Sequence, residues 1–238
     1  MDIKNNIIFI TGANRGIGKA LVEAALKHGA KKIYAAARKL EDLPNFNDAR
    51  VVPVALDITD RAQVKKAAET AKDTQVLINN AGALAFASVI EGPMEMLIRD
   101  MEVNYFGTLN VTRAFAPAIA SNGGGAIASI SSIIGLASMA AVGGYSASKA
   151  ALFSAIQASR AELKAKNISV HGIFPGPIDT DMAKEFAMDK NSPAATAENI
   201  LNGIEAGVED IYPDPVSAKM GALWATNPKE VERAFAAI

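Results

Sequence analysis

Short apolar segments without a polar alternate face recur along this chain, and stretches with helical spacing separate most of them. A strand is apolar on both faces only where both faces are buried, as in a parallel sheet covered by helices on two sides. Crossovers between parallel strands are right-handed, so the pattern predicts an α/β fold with a doubly wound parallel sheet, the Rossmann type. We predict strands at 6–10, 32–36, 50–54, 75–79, 126–131, 168–174 and 210–212, and helices at 61–72, 94–120 and 144–166 besides one that follows the first strand.

The length of 238 residues suits one α/β domain covering 1–238, and leaves too little chain for two ordinary domains and a linker. The segment 179–193 is the most loop-like part of the chain, rich in polar residues and methionine. Two interpretations of it stay open: a mobile lid over a substrate, or a surface connection.

The composition excludes several kinds of site. The chain has no cysteine, which rules out disulfides, thiolate zinc sites and cysteine nucleophiles. His28 and His171 stand far apart and complete no metal-ligand spacing, so we expect no metal. A net charge of −1 gives no electrostatic signature of binding to nucleic acid or an anionic membrane. The first residues hold too short an apolar stretch for a signal peptide and no segment resembles a membrane span, so we expect a cytoplasmic location.

The sequence TGANRGIG lies between the first strand and the first helix. Its glycines, Gly12, Gly16 and Gly18, permit a tight turn and a close approach of a ligand to the backbone. The helix behind them presents free N–H groups and the positive end of its dipole, which favours a dinucleotide pyrophosphate. The spacing differs from the common G-x-G-x-x-G, and a strand-to-helix turn without a ligand is the alternative.

The end of the second strand indicates which dinucleotide would bind. An NAD site places a carboxylate there for the ribose hydroxyls, whereas this chain has Arg38 and Lys39. A guanidinium pairs with a 2′-phosphate that a carboxylate would repel, and Arg15 in the glycine-rich turn adds a second cation. The pattern favours NADP over NAD, with a solvated basic loop as the alternative.

Lys149 is the only charged residue between Ala114 and Ser159. It stands four residues after Tyr145 in YSASK, so the two side chains share one face of a helix. A buried ammonium is kept only with partners or a task. We therefore expect the Lys149 cation to lower the pKa of Tyr145 into the range of acid–base catalysis near neutral pH.

With these motifs in this order, the chain resembles the classical short-chain dehydrogenase/reductase family, in its NADP-dependent branch. TGANRGIG is similar to the family's cofactor loop, NNAG at 79–82 to its signature, VNYFG to its asparagine segment, YSASK to its Tyr-x-x-x-Lys pair, and PGPIDTD at 175–181 to its nicotinamide loop. The resemblance implies cofactor contacts from Gly12, Asn14, Arg15, Gly16, Ile17, Gly18, Arg38, Asp57, Ile58, Asn80, Ala81, Gly82, Tyr145, Lys149, Pro175, Gly176, Ile178 and Thr180.

The same resemblance implies four catalytic residues. Tyr145 would be the general acid in reduction and the base in oxidation, and Ser132, thirteen residues before it, would hydrogen-bond the substrate oxygen. Lys149 would bind the nicotinamide ribose and shift the pKa of Tyr145, and Asn104 would hold a water that links the lysine to solvent. Purely structural interpretations exist: Ser132 could end a strand, and Asn104 and Asp57 could cap helices.

The C-terminal segment and the predicted pocket indicate the class of substrate. The chain lacks the Gly-Gly ending typical of ketoacyl reductases, and an apolar pocket is predicted, so we expect an NADPH-dependent carbonyl reductase, reversible as an alcohol dehydrogenase, that acts on a small or medium apolar carbonyl. A ketoacyl or sugar reductase, and a non-catalytic protein that senses NADP and regulates a partner, are the alternatives.

The resemblance further implies a homotetramer or homodimer joined through the helices around Asn104 and Tyr145. The predicted pocket residues, any of which could instead be ordinary core, are Leu84, Phe86, Met139, Met182, Phe186 and Met188.

Overall fold

The computed structural model describes residues 1–185 and 189–237. Within them lies a parallel sheet of seven strands in the order β3-β2-β1-β4-β5-β6-β7. The predicted doubly wound Rossmann sheet is confirmed, and each predicted strand boundary lies within one residue of the observed one. The strands are β1 (Ile7–Thr11), β2 (Lys32–Ala37), β3 (Val51–Ala55), β4 (Val76–Asn79), β5 (Gly125–Ile130), β6 (Ile168–Ile173) and β7 (Asp210–Ile211).

Helices cover both faces of the sheet. The helices are α1 (Gly16–Lys27), α2 (Arg61–Thr70), α3 (Met94–Asp100), α4 (Thr108–Ser121), α5 (Gly143–Lys164), α6 (Pro193–Glu205), α7 (Pro215–Thr226) and α8 (Pro228–Ala236). Ile8 and Ile10 of β1 are buried on one face against α1 and α6, whereas Ile7 and Phe9 are buried on the other against α2, α4 and α5. Both faces of the central strands are therefore shielded from water, which explains why their sequences show no polar alternation.

β3 lies at one edge of the sheet and, among the described strands, pairs only with β2, just as β7 at the opposite edge pairs only with β6. None of its residues is fully buried, and Pro53 and Ala55 are exposed. An edge strand tolerates Pro53 because one side of its backbone needs no partner strand. The expectation of strands buried on both faces is therefore wrong for β3.

The long helix predicted at 94–120 is interrupted. A π-helical segment, Met101–Gly107, separates α3 from α4. Such segments are rare and often lie at functional sites. Here the segment contains Asn104, and apolar periodicity alone gives no signal for the change in helix type.

The strand order reverses between β1 and β4, which are neighbours in the sheet but not in sequence. The chain leaves these two strands in opposite directions, so a crevice opens at their carboxyl ends, where ligands bind in sheets of this type. No helix among residues 1–185 and 189–237 is long and apolar enough to cross a membrane.

Candidate active site

The glycine-rich turn lies at the carboxyl end of β1 and is packed without spare room. Gly12 has a φ of +65°, which side chains disfavour, and a Cβ on Gly18 would overlap the Gly12 carbonyl oxygen. The Asn80 side-chain amide donates to the carbonyl oxygens of Thr11 and Gly12, at 3.0 and 2.9 Å. The loop after β4 therefore holds the turn in place.

The first turn of α1 offers the phosphate-binding geometry that the sequence predicts. Arg15 precedes the helix in an extended conformation and provides no side-chain cap. The first backbone N–H groups of a helix have no partner within the helix, so those of α1 are open to an anion. Arg15 itself pairs with Asp181 at 2.9 Å, with both side chains about two-thirds exposed (66% and 69%).

A cavity of about 620 Å³ extends from this turn along the carboxyl edge of the sheet. Every cofactor residue implied by the resemblance lines it, and so do three of the four implied catalytic residues. The lining includes Gly12, Asn14, Arg15, Gly16, Ile17, Gly18, Arg38, Asp57, Ile58, Asn80, Ala81, Gly82, Ser132, Tyr145, Lys149, Pro175, Gly176, Ile178 and Thr180.

Ser132, Tyr145 and Lys149 meet at the middle of this cavity. Ser132 follows β5 and accepts a hydrogen bond from the Ile134 N–H, so it also caps a short turn. The Lys149 ammonium lies 5.5 Å from the centre of the Tyr145 ring and donates to the Ile130 carbonyl oxygen at 2.7 Å. All three side chains are at least nine-tenths buried, so charge changes there are poorly screened by water.

The expected lowering of the Tyr145 pKa is wrong. Burial raises the pKa of Tyr145 above its usual value and the charge of Asp100 raises it further, while a hydrogen bond with the Ser132 side chain lowers it. Burial lowers the pKa of Lys149 to about 8, and Asp100 opposes that change. Desolvation disfavours both charged forms, and the Coulomb attraction expected from the sequence was counted before any desolvation was subtracted.

Asn104 is fully buried and lies beneath the cavity lining rather than in it. Its amide donates to the Ala83 carbonyl oxygen at 2.8 Å and to the Ser148 hydroxyl at 2.9 Å, and its oxygen accepts from the Ala83 N–H. A Cβ on Gly82 would lie 3.0 Å from that oxygen and 3.7 Å from the Lys149 ammonium nitrogen. Asn104 therefore lies near Lys149 and holds the loop after β4, and it caps no helix.

Asp57 and Arg38 line the far end of the cavity, beside β2 and β3. The Asp57 carboxylate accepts hydrogen bonds from the N–H and the hydroxyl of Thr59, at 2.9 and 2.7 Å. Asp60, not Asp57, caps α2. Arg38 is exposed at the cavity wall, and Asp42 lines the same end.

The opposite end of the cavity is apolar. Leu84, Phe86, Met139 and Met182 line it as predicted, with Met139 buried and Phe86 and Met182 exposed. Phe186 and Met188 lie outside the described residues. A backbone hydrogen bond joins the two ends of the predicted lid, 179–193: the Asp179 N–H donates to the Asn191 carbonyl oxygen at 2.9 Å. The lid interpretation stays a prediction.

Several lining residues have no counterpart in the sequence-based prediction. Arg99 reaches the cavity from α3, Val216 from α7 and Phe235 from α8. The sequence pattern of these segments indicates a helix but does not indicate which part of the fold the helix contacts. The packing of α3, α7 and α8 in the folded protein brings these side chains to the cavity. The buried carboxyl group of Asp100, next to Arg99, is missed for the same reason.

Residues 6–191 match the family model described as short chain dehydrogenase. The chain belongs to the short-chain dehydrogenase family. This confirms the resemblance drawn from the motifs, and it makes the protein an oxidoreductase by family, which is the coarse part of the predicted function.

Three individual proteins are similar to this chain over most of their length. A crystal structure of a short chain dehydrogenase from Burkholderia cenocepacia, in complex with NADP, has 39% sequence identity, a TM-score of 0.94 and coverage of 99% of both chains. The probable short-chain type dehydrogenase/reductase VdlC of Helicobacter pylori is 34% identical, over 88% of this chain and 79% of the relative. The sorbitol dehydrogenase of Cereibacter sphaeroides is also 34% identical, over 81% of this chain and 80% of the relative.

Proposed function

We propose that this short-chain dehydrogenase transfers a hydride from NADPH to an aldehyde or ketone, and catalyses the reverse oxidation of the alcohol. The observation that carries the proposal is the placement of Ser132, Tyr145 and Lys149 around one cavity that begins at the glycine-rich turn. These are the residues that the family resemblance implies for proton transfer.

The described residues fit a dinucleotide with a 2′-phosphate. Close packing at Gly12 and Gly18 leaves backbone rather than side chains facing the cavity at the N-terminus of α1, where a pyrophosphate would be favoured. Arg15 and Arg38 line the same region and would pair with a 2′-phosphate. The NADP complex of the Burkholderia relative supports the same choice of cofactor.

The roles of the chain's own residues follow from their positions. When bound, NADPH would supply the hydride that the carbonyl carbon accepts. The Tyr145 hydroxyl gives its proton to the carbonyl oxygen, so that the products are the alcohol and a phenolate, and solvent returns a proton to Tyr145. The Ser132 hydroxyl donates a hydrogen bond to the same oxygen, and the Lys149 ammonium stabilises the phenolate electrostatically.

The substrate in this proposal is a small or medium apolar carbonyl compound. Leu84, Phe86, Met139 and Met182 give the substrate end an apolar lining, and methionine side chains adapt to ligands of different shapes. Arg99 also lines the cavity, and a substrate with a carboxylate would pair with it. The proposal is therefore tested with a panel of substrates that includes both neutral and acidic carbonyl compounds.

The test is carbonyl-dependent oxidation of NADPH, run beside NADH and beside Tyr145→Phe. We expect turnover with NADPH, and a loss of about 100-fold or more in the variant, because it lacks the proton donor. NADPH binding measured by fluorescence serves as the control that the variant keeps its site. Undiminished turnover in Tyr145→Phe would contradict the role of that residue.

The panel also separates the other functions. A preference for an acyl thioester or a sugar would overturn the apolar substrate while leaving the reductase proposal in place. Tight NADPH binding by the wild-type protein with no turnover on any member of the panel would instead support an NADP-sensing regulatory protein.

A further inference from the structure

A carboxyl group that the proposed mechanism does not use lies buried beside the catalytic pair. Asp100, the last residue of α3, has no solvent-exposed surface. Within the described part of the chain, its two oxygens accept from one donor, the Ala85 N–H, at 3.1 and 3.4 Å. A buried carboxylate with a single backbone donor is costly unless a nearby positive charge compensates it.

Asp100 and Asn104 act on the same loop. They stand four residues apart on one helical stretch, and each holds a backbone group of the segment after β4: Asn104 holds Ala83, and Asp100 holds Ala85. Residues 80–84 of that segment line the cavity. The two side chains therefore set the position of the cavity wall that faces Lys149.

The helix that ends at Asp100, α3, packs closely on α5, which carries the catalytic pair. A Cβ on Gly144 would lie 2.9 Å from Leu97 Cγ, so this glycine lets α3 approach α5 directly before Tyr145. The titratable groups that interact electrostatically with Asp100 are Lys149 and Tyr145 of α5 and Arg99 of its own helix. The loop after β4 contributes the Ala85 N–H as its neutral partner.

The effect of Asp100 on the pair has a definite sign. Its negative charge raises the pKa of both Lys149 and Tyr145, so it favours the ammonium and the protonated phenol. This is the protonation state that donates a proton to a carbonyl oxygen. Burial raises the pKa of Asp100 itself to about 6, against the opposing effects of Ala85, Arg99 and Lys149. Above that pH the carboxylate is charged.

We infer that Asp100 is a positioning residue for carbonyl reduction: its carboxylate fixes Ala85 and supplies the buried negative charge that balances the Lys149 ammonium beside Tyr145. The inference rests on the proposed function of Tyr145 and Lys149. It assigns to α3 a charge that tunes the site from behind the cavity wall, without contact with the substrate.

The test uses Asp100→Asn, which keeps an oxygen acceptor for the Ala85 N–H and removes the charge. Glu102→Gln, an exposed position on the neighbouring turn, removes the same charge without burial and is the matched control. The readout is the ¹³Cε NMR titration of lysine in the cofactor-free protein, with the Lys149 signal assigned by Lys149→Arg. This readout needs no enzymatic activity.

We expect the Lys149 midpoint, near pH 8 in the wild-type protein, to fall by about one pH unit in Asp100→Asn and to stay unchanged in Glu102→Gln. An unchanged midpoint in a folded Asp100→Asn protein overturns the inference. A second measurement needs only wild type: the Lys149 signal should show a smaller inflection near pH 6, where Asp100 titrates, and its absence also contradicts the inference.

Kinetics then separate the two proposals. If the panel gives turnover, the alkaline limb of the kcat/KM profile for reduction should move to lower pH in Asp100→Asn by the same amount as the NMR midpoint. A wild-type protein that turns over nothing contradicts the proposed function, whereas the NMR titration still decides whether Asp100 balances Lys149.

Discussion

Arg15 of the glycine-rich turn and Asp181 of the loop after β6 form an ion pair at 2.9 Å, and both residues line the cavity. The pair joins the proposed phosphate end of the site to the segment that carries Thr180. A cofactor phosphate near the turn would compete with Asp181 for the Arg15 guanidinium. Four predictions follow from this contact and from others around the cavity.

Asp181→Asn should strengthen NADPH binding modestly, because Arg15 is then free to meet the cofactor. We expect a gain of at most about fivefold in affinity, since exposed ion pairs contribute little, and the gain should shrink at high salt. Titration of NADPH fluorescence at low and high ionic strength measures both effects. Weaker binding in the variant would mean that Asp181 supports the site rather than competing with the ligand.

Arg38→Ala should reduce the preference for NADPH. The guanidinium at the cavity wall is proposed to pair with the 2′-phosphate, so its loss should weaken NADPH binding by about 10-fold or more and leave NADH binding nearly unchanged. Lys39→Ala, which removes an equal charge from the next residue, is the control and should have the smaller effect. Equal losses for both cofactors in Arg38→Ala would contradict recognition of the 2′-phosphate.

Asn80→Ala should weaken both stability and cofactor binding, since the Asn80 amide holds the carbonyl oxygens of Thr11 and Gly12. Asn122→Ala is a matched control, because the Asn122 amide also donates to two backbone carbonyl oxygens, those of Lys72 and Thr74, away from the cavity. Each variant should lose about 1–3 kcal/mol in urea unfolding. NADPH affinity should fall only in Asn80→Ala, and an equal fall in both would indicate a general loss of folding.

The buried ammonium of Lys149 should make the cofactor-free protein more stable at alkaline pH. Its pKa is lowered to about 8 from 10.5, so between these values the unfolded chain binds more protons than the folded one, and the free energy of unfolding rises with pH. The shift corresponds to roughly 3 kcal/mol in total. Urea unfolding between pH 7 and about 10 measures the rise, which should be absent in Lys149→Met; an identical slope in the two proteins would contradict it.

The prediction of the sheet succeeded because local pattern and global fold agree in this protein. Each central strand is short, apolar and followed by a helix, and a parallel sheet covered by helices buries such strands on both faces. The motif residues were also predictable, because the positive φ of Gly12, the approach of Gly18 to the Gly12 carbonyl oxygen and the four-residue spacing of Tyr145 and Lys149 are local properties of the backbone.

The sign of the Tyr145 pKa shift was not predictable in this way. The sequence shows a cation four residues from the phenol, but it does not show how completely both groups leave water, or that the Asp100 carboxylate approaches them from another helix. Desolvation depends on all the atoms around a group, and those atoms come from segments far apart in the chain.

Local residue order was thus sufficient to establish the Rossmann sheet, the family and the residues that gather around its crevice. Packing established the rest: the π-helical segment at Asn104, the ion pair of Arg15 with Asp181, and the position of Asp100 behind the catalytic pair. This difference between what the sequence predicts and what only the folded structure shows has a physical cause. Periodicity and glycine geometry act within a few residues, whereas burial and electrostatic coupling act through space between groups that the folded chain brings together.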